Sequence, residues 1–237
     1  MCTVQGVEYV FIVGVGGGVP HYTDYDRHVR LGDVVMAAPN KEGQRFIYQY
    51  CQTAEVREGG EVVFETKSWC PPEITLQLIG EQLKEKQKAN AEEGPACWQT
   101  NFNCGLSELS DDQDGQTWTR PAQNTDKLFM SIGGGDLIEV GHPTPRPGTE
   151  DPRGNGTPVL HIGPVAAGRG VSLDDQLRQE FAYKNGILAY DSELDSVVEV
   201  CCIPYYVLSL YLLSVFRVSM ETGRTTTCSS GVWQTIR

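Results

Sequence analysis

The chain has 237 residues, of which 40% are hydrophobic, so it is long enough for one large α/β domain with a sizeable core. Its formal net charge of −12 argues against sequence-independent binding of nucleic acid, which needs clustered Lys and Arg. The eight cysteines form no C-x-x-C pair and have no His at a zinc-ligand spacing, which favours free or buried thiols over a metal site.

An apolar run followed by glycines forms the first predicted element. Val10–Val15 is rich in β-branched residues and is bounded by glycine, which predicts a buried strand. Three glycines follow at 16–18, and without Cβ atoms their backbone N–H groups can approach an anion closely. A second strand is predicted to begin at Val29. By itself such a turn is a weak signal, since a ligand-free turn explains it as well.

The complete sequence of Phe11–Met36 is a more specific signal than its glycines alone. Gly-Val-Gly-Gly-Gly-Val-Pro, a polar spacer and Arg-Leu-Gly-Asp-Val-Val resemble the nucleoside phosphorylase superfamily. That superfamily includes purine nucleoside and uridine phosphorylases and methylthioadenosine nucleosidases, and the match is closest to its eukaryotic branch. The resemblance implies an α/β fold, a central mixed β-sheet flanked by helices. Family members have further strands and helices before this point, so we expect the domain to be incomplete at this end.

The next segment is predicted to contain two strands and a helix. Arg45–Tyr50 and Glu61–Glu65 are rich in β-forming residues, and Gly59-Gly60 between them favours an antiparallel pair. Pro71-Pro72 then favours a helix start. The spacing of Leu76, Ile79 and Leu83 predicts the buried face of this helix, with charged residues around the other side.

The middle of the chain has little periodicity. Residues 89–126 are predicted to form a long loop, because they are rich in acidic, amide and glycine residues. A second Gly-Gly-Gly, at 133–135, lacks a following Lys-Ser/Thr and is interpreted as a turn. The Pro- and Gly-rich stretch from His142 to Pro158 is predicted to be a surface loop.

Strand character returns at Val159–Gly168, followed by a predicted helix and a short strand. Ser172 is the expected helix cap, Leu173, Leu177 and Phe181 the apolar stripe, and Asn185-Gly186 the end. Ile187–Tyr190 is predicted to be a short buried strand.

This block is the second point of resemblance to the nucleoside phosphorylase family. There, a strand ending in Ala/Ser-Gly is followed by a helix, a short strand and a Glu-Met-Glu-like segment whose last Glu binds ribose hydroxyls. The match implies that Glu193 is the ribose ligand, and one carboxylate can accept bonds from two neighbouring hydroxyls. Gly168, Val171, Tyr190 and Ser192 would lie on the base side, and Gly16, Gly17 and Gly18 would hold phosphate or water. Alternatively, Asp191, Glu193 and Asp195 open a helix, whose N-terminus favours acids.

Three departures from the family pattern bear on chemistry. Phosphorylases place Thr or Ser and Arg where this chain has Val15 and Ile12, so hydrolysis or binding is favoured over phosphorolysis. Many relatives stack an aromatic residue on the base where Val171 falls. The family's general acid is an Asp on the strand after the ribose-binding segment, and no Asp follows Asp195. Loss of a general acid costs about 100- to 10,000-fold in rate.

Residues 200–237 depart from the family altogether. The stretch 200–216 is uncharged and about as short as a membrane-spanning helix can be, and Met220–Arg237 is polar. The abrupt change near Glu199 suggests an alternative splice form or a gene-model error. We therefore expect a partial nucleoside phosphorylase-like domain at 1–199 and an unrelated apolar, divergent tail at 200–237.

Together these patterns predict a pentosyltransferase or N-glycosidase family member that acts on a nucleoside, with no metal or organic cofactor and phosphate as a candidate co-substrate. Expected partners are a small-molecule nucleoside and a second copy of the chain, since family members are commonly oligomeric. Without a signal peptide, a cytoplasmic location is expected. The alternatives are a non-catalytic nucleoside-binding or interaction module, and an aberrant or tail-anchored product held in a membrane through 200–216.

Overall fold

The computed structural model describes residues 9–40, 45–89, 97–110, 123–133, 136–149, 151, 153, 157–168, 171, 174–191, 206–213, 228–229 and 232–233. The elements in the first half are β1 (Tyr9–Gly18), β2 (Val34–Ala37), β3 (Tyr48–Val56), β4 (Val62–Trp69), α1 (Thr75–Ala89) and α2 (Cys97–Ser110). Those in the second half are β5 (Leu128–Gly133), β6 (Asp136–Val140), β7 (Leu160–Gly163), β8 (Val165–Ala167), α3 (Asp175–Asn185), β9 (Ala189–Tyr190), β10 (Tyr206–Leu213), β11 (Cys228–Ser229) and β12 (Val232–Trp233).

The fold is a mixed α/β arrangement built on an eight-stranded sheet with the order β4-β3-β8-β9-β1-β10-β2-β7. Four pairs are parallel (β1 with β10, β3 with β8, β8 with β9, β2 with β7) and three are antiparallel, so the expected mixed sheet is confirmed. β5 and β6 form a separate hairpin, joined where the second glycine run was interpreted as a turn.

The predicted strand pair is confirmed and is longer than expected. β3 and β4 are antiparallel, and Gly59 and Gly60 in the turn between them have φ of +105° and +83°, which glycine adopts without strain. The helix end at Asn185-Gly186 is also confirmed, since Gly186 has the left-handed φ of +65° that closes many helices.

One face of the sheet carries the main core cluster, which includes Val35, Tyr48, Val165 and Ala189. The register puts α1 and α3 on the opposite face. Met36, which packs on α1, lies across β10 from Val13, and Tyr190, which packs with Phe181 of α3, lies opposite Gly17.

The prediction that the first strand is buried is wrong for one of its faces. Phe11, Val13 and Val15 point to the face on which α1 and α3 pack, yet they are exposed, Val13 by 72%. Ile12, on the other face, packs against the main core. β1 therefore lies between the areas of sheet that the two helices cover.

Several other sequence predictions need correction. β2 begins at Val34 rather than Val29, because Gly32 at φ +85° makes a turn first. α1 buries Leu76, Gln77 and Gly80, whereas Ile79 and Leu83 of the predicted stripe are exposed. Residues 97–110 of the predicted long loop form α2.

The cap of α3 is Asp174 rather than Ser172; its carboxylate accepts the N–H groups of Gln176 and Leu177, both at 2.9 Å. Leu173 lies outside the described residues, and of the predicted stripe Phe181 is fully buried and Leu177 half-buried.

The apolar stretch at 200–216 contains a strand. Tyr206–Leu213 forms β10, which pairs with β1 on one side and β2 on the other, inside the main sheet. Among the described residues, none of the helices combines the length and apolar character needed to cross a lipid bilayer.

Candidate functional site

The glycines at 16–18 lie at the end of β1 and not in a turn after it. Gly17 pairs with Tyr190 of β9 and Gly18 with Ala189. A glycine can pair within a sheet like any other residue. The side chain of Val29 explains why one of the three positions must be glycine. A Cβ on Gly18 would lie 2.9 Å from Val29 Cγ1, closer than packing allows. The prediction of a glycine turn is therefore wrong, because Gly17 and Gly18 are paired with β9.

A row of residues from three adjacent strands brings the two predicted halves of the site together. Ala166 pairs with Tyr190, and Tyr190 pairs with Gly17, so three positions far apart in the sequence are neighbours across β8, β9 and β1. Asp191 continues the ladder, with its N–H donated to the Ala166 carbonyl at 2.8 Å. We call Gly17, Tyr190 and Ala166 the glycine row.

Two of the residues predicted to lie on the base side, Gly168 and Val171, make contacts with the protein interior. Gly168 has φ +145°, and a Cβ there would lie 2.7 Å from the Cys51 carbonyl oxygen. Val171 is fully buried among Phe181 and Tyr190, so its side chain is part of the core. Glu193, the predicted ribose ligand, and Ser192 lie outside the described residues.

Tyr190 is also committed to the protein interior. Its hydroxyl donates to the Arg178 carbonyl of α3 at 2.7 Å, and burial raises the pKa of the phenol far above its usual value. This residue fixes α3 to the sheet below the glycine row.

Among the described residues a dense group of charges lies elsewhere, and it was not predicted. Asp33, Arg153 and His161 form a buried ionic cluster in which Asp33 and Arg153 are 1% and 2% exposed. The Asp33 carboxylate accepts bonds from Arg153 Nη2 at 2.6 Å and His161 Nε2 at 3.0 Å. It also accepts the backbone N–H groups of Arg30 and Val159, at 2.9 and 3.1 Å.

These bonds determine the charge state of the cluster. Burial by itself would raise the pKa of the Asp33 carboxyl, but the bonds from His161 and Arg153 outweigh it and lower the pKa to about 2. Arg153 is correspondingly held in its charged form and donates as well to the His28 carbonyl at 3.1 Å. The prediction that 142–158 is only a surface loop is therefore wrong at Arg153.

Around this core lies a second layer of partly buried pairs. Arg30 contacts Asp126 at 2.8 Å and Asp151 at 3.4 Å. The Tyr25 hydroxyl donates to Asp151 at 2.9 Å, and burial together with this bond raises the pKa of the phenol to about 12. These contacts attach residues on both sides of the β5–β6 hairpin to the loop between β1 and β2.

A histidine chain runs along the same loop. The His21 N–H donates to His28 Nδ1 at 3.0 Å, His28 Nε2 lies 2.9 Å from His142 Nδ1, and His142 Nε2 lies 3.0 Å from the Asp126 carbonyl. Because His28 Nδ1 accepts, its proton is assigned to Nε2, which donates to His142. Burial, followed by the nearby His142, Arg153 and Arg30, lowers the pKa of His28 to about 3, so the ring is neutral.

The arrangement favours a structural role for the ionic cluster. Its charged atoms are shielded from solvent and bonded to each other, so a substrate would have to displace them to react. Among the described residues there is no group of three or more His, Cys, Asp or Glu that could hold a metal ion. Sequence reasoning missed the cluster because Asp33, Arg153 and His161 are up to 128 residues apart. The only local signal was a polar His161 inside an apolar strand.

No protein-family model, curated relative or solved structure matches this chain.

Proposed function

We propose that this chain is a nucleoside phosphorylase-like domain that binds a nucleoside at the end of β1, and that its activity on the N-glycosidic bond is low or absent. The observation that carries the proposal is the glycine row: Gly17 and Tyr190 are directly paired although they are 173 positions apart in the sequence. These are the two motifs for which the family resemblance implies one shared site.

The chemistry of such a site would come from the backbone and from one carboxylate. Gly17 and Ala166 carry no side-chain charge and their main chains are already paired within the sheet, so a phosphate or water would be held by N–H groups just beyond the row. Glu193 follows the end of β9 by three residues and is the proposed acceptor for the ribose hydroxyls. Ligands in sheets of this class bind at strand ends.

Two observations favour weak or absent turnover: one concerns the expected catalytic acid, and the other concerns arginines that are already paired. No Asp follows Asp195 to protonate a leaving base. The buried Arg153 and the partly buried Arg30 are paired with Asp33, Asp126 and Asp151. A non-catalytic nucleoside-binding module is therefore the second candidate, and the same pairing supports it.

The test combines binding and turnover on the full chain. Purified protein is offered purine and pyrimidine nucleosides with and without phosphate, with binding followed by calorimetry and free base by chromatography. Phosphate-dependent release indicates a phosphorylase, phosphate-independent release a nucleosidase, and binding without release the binding module. If the folded chain neither binds nor cleaves any nucleoside, the proposal is wrong.

A matched pair of variants then tests the assigned carboxylate. Glu193→Gln keeps the shape but removes the charge, and should weaken nucleoside binding by about 10- to 100-fold, the value of a hydrogen bond to a charged group. Asp195→Asn removes a charge two residues away and should bind like the unmodified chain. Equal effects would remove Glu193 from the site.

A further inference from the structure

One edge of the sheet is long, regular and open. Among the described residues β4 is the outermost strand and pairs only with β3, whereas β7 at the other edge has four residues. β4 runs without interruption from Val62 to Trp69, because the irregularity in this pair is a bulge in β3, between Cys51 and Thr53. Such an edge presents N–H and C=O groups to another strand, although the Val62 carbonyl, at the start of β4, already accepts a bond from Lys184 Nζ at 2.9 Å.

The contacts of β4 define its two faces. Phe64 packs on Phe181 of α3, with ring centres 5.0 Å apart, so the even-numbered residues face that helix. Trp69 packs on Tyr48 at 5.1 Å, so the odd-numbered residues, including Glu65 and Lys67, point to the other face. Glu65 and Lys67 are both exposed.

Both charged side chains are held close to the strand. Glu65 accepts a bond from the Thr53 hydroxyl at 3.2 Å, and Lys67 Nζ lies 5.0 Å from the centre of the Trp69 ring. A lysine on an edge strand ordinarily discourages association. Here the acid two residues earlier on the same face can serve as its partner on another copy.

Symmetry restricts how two such strands can pair. Two copies can pair antiparallel about a two-fold axis perpendicular to the sheet. Opposite residues must then lie on the same face, so the axis passes between the two copies of one residue. An axis at Glu65 places Glu65 against itself, and an axis at Lys67 places Lys67 against itself. An axis at Thr66 places Glu65 of each copy opposite Lys67 of the other.

We propose that β4 binds a second copy of this chain, antiparallel and with Thr66 opposite Thr66, so that two sheets become one. An axis at Phe64 would place Lys67 opposite Glu61, which lies outside β4, and would leave Glu65 opposite Val63. Cross-strand pairs of opposite charge stabilise a sheet and like charges destabilise it, so the register that pairs both charged residues of β4 with each other is favoured. The same register places Val63 of each copy opposite Trp69 of the other, an apolar pair on the same face. This interface does not depend on the nucleoside proposal.

Charge reversal gives a direct test by sedimentation over a range of concentrations. The unmodified chain should show a concentration-dependent dimer, whereas Glu65→Lys and Lys67→Glu alone should each weaken it at least tenfold. An equimolar mixture of the two single variants should form dimers again, because each supplies the charge that the other has lost. The double variant should also dimerise.

Controls separate this interface from folding and from net charge. Circular dichroism should show the same secondary structure in all variants, and Glu58→Lys, in the exposed β3–β4 turn, changes the net charge as Glu65→Lys does but should leave the dimer unchanged. A monomeric unmodified chain, single variants that dimerise normally, or a mixture no better than its components would each overturn the proposal.

Discussion

The ionic cluster and the glycine row use opposite means to join distant parts of the chain. The cluster joins the loop after β1 to Arg153 and His161 through buried charges that are bonded to one another. The row joins Gly17 to Tyr190 through backbone pairing alone. The dense group of charged residues is therefore a structural contact in this molecule, whereas the glycine row is held together without any charged side chain.

The largest expected effect comes from breaking the cluster. Arg153→Ala removes the cation that contacts Asp33 at 2.6 Å and leaves a buried carboxylate with less compensation. We expect the free energy of unfolding to fall by about 3–5 kcal/mol, measured by urea denaturation. Arg146→Ala is the matched control, because Arg146 is 86% exposed and pairs with Asp26 at 3.5 Å. It should cost less than about 1 kcal/mol. Equal losses would mean that the cluster does not stabilise the fold.

The histidine chain should make the cluster side of the molecule sensitive to acid. The pKa of His28 is about 3 in the folded chain and 6.5 ordinarily, so the unfolded chain binds a proton between these values that the folded chain does not. Stability should therefore fall as pH drops from 6.5 towards 3, by up to about 1.4 kcal/mol per pH unit. Urea denaturation at several pH values measures this slope.

A variant identifies the residue responsible for that slope. His28→Gln removes the titrating ring, so the pH dependence between 6.5 and 4 should become shallower, even if the variant is less stable at pH 7. His21 contacts His28 through its backbone N–H, so His21→Gln keeps the bond to His28 Nδ1 and is the control for changes at the His28 ring itself. An unchanged slope in His28→Gln would assign the acid sensitivity to other groups.

Local signals predicted the elements that local physics determines. The β3–β4 pair, its Gly59-Gly60 turn and the Gly186 helix end depend on residues within a few positions, and all three are confirmed. The prediction of the buried face of α1 was wrong because a neighbouring side chain can bury a Gly residue. The Met36 side chain lies where a Cβ on Gly80 would be, and that contact turns Ile79 outward.

The candidate site was predictable only in part, for a similar reason. Two motifs named residues that the sheet does bring together, but neither motif could show that β1 continues through its glycines. The ionic cluster depends on pairing between residues about 120 positions apart, which no spacing rule covers. A buried charge can be recognised only when its partner is known.

On the side of the glycine row, the next effect is smaller and comes from backbone geometry. Gly168→Ala forces a residue with a Cβ into φ +145° and against the Cys51 carbonyl, so we expect a loss of about 1–3 kcal/mol in unfolding free energy. Gly105→Ala in α2 meets nothing within 4 Å and should be neutral or stabilising by up to about 1 kcal/mol. If Gly168→Ala is as stable as Gly105→Ala, the turn after β8 is looser than its contacts indicate.

The smallest effect on stability should come from the cap of α3, and it tests whether the glycine row depends on that helix. Asp174 caps α3 through two backbone N–H groups, and α3 holds Tyr190 through the Arg178 carbonyl. Asp174→Ala should lower the unfolding free energy by about 1 kcal/mol, and Asp174→Asn, which can still accept those bonds, by much less. Hydrogen exchange should locate the loss in α3, with the Gly17–Tyr190 pairing protected as before. Loss of protection at Gly17 as well would show that the glycine row depends on α3 rather than on the sheet. The proposed binding region would then be less stable than the ionic cluster.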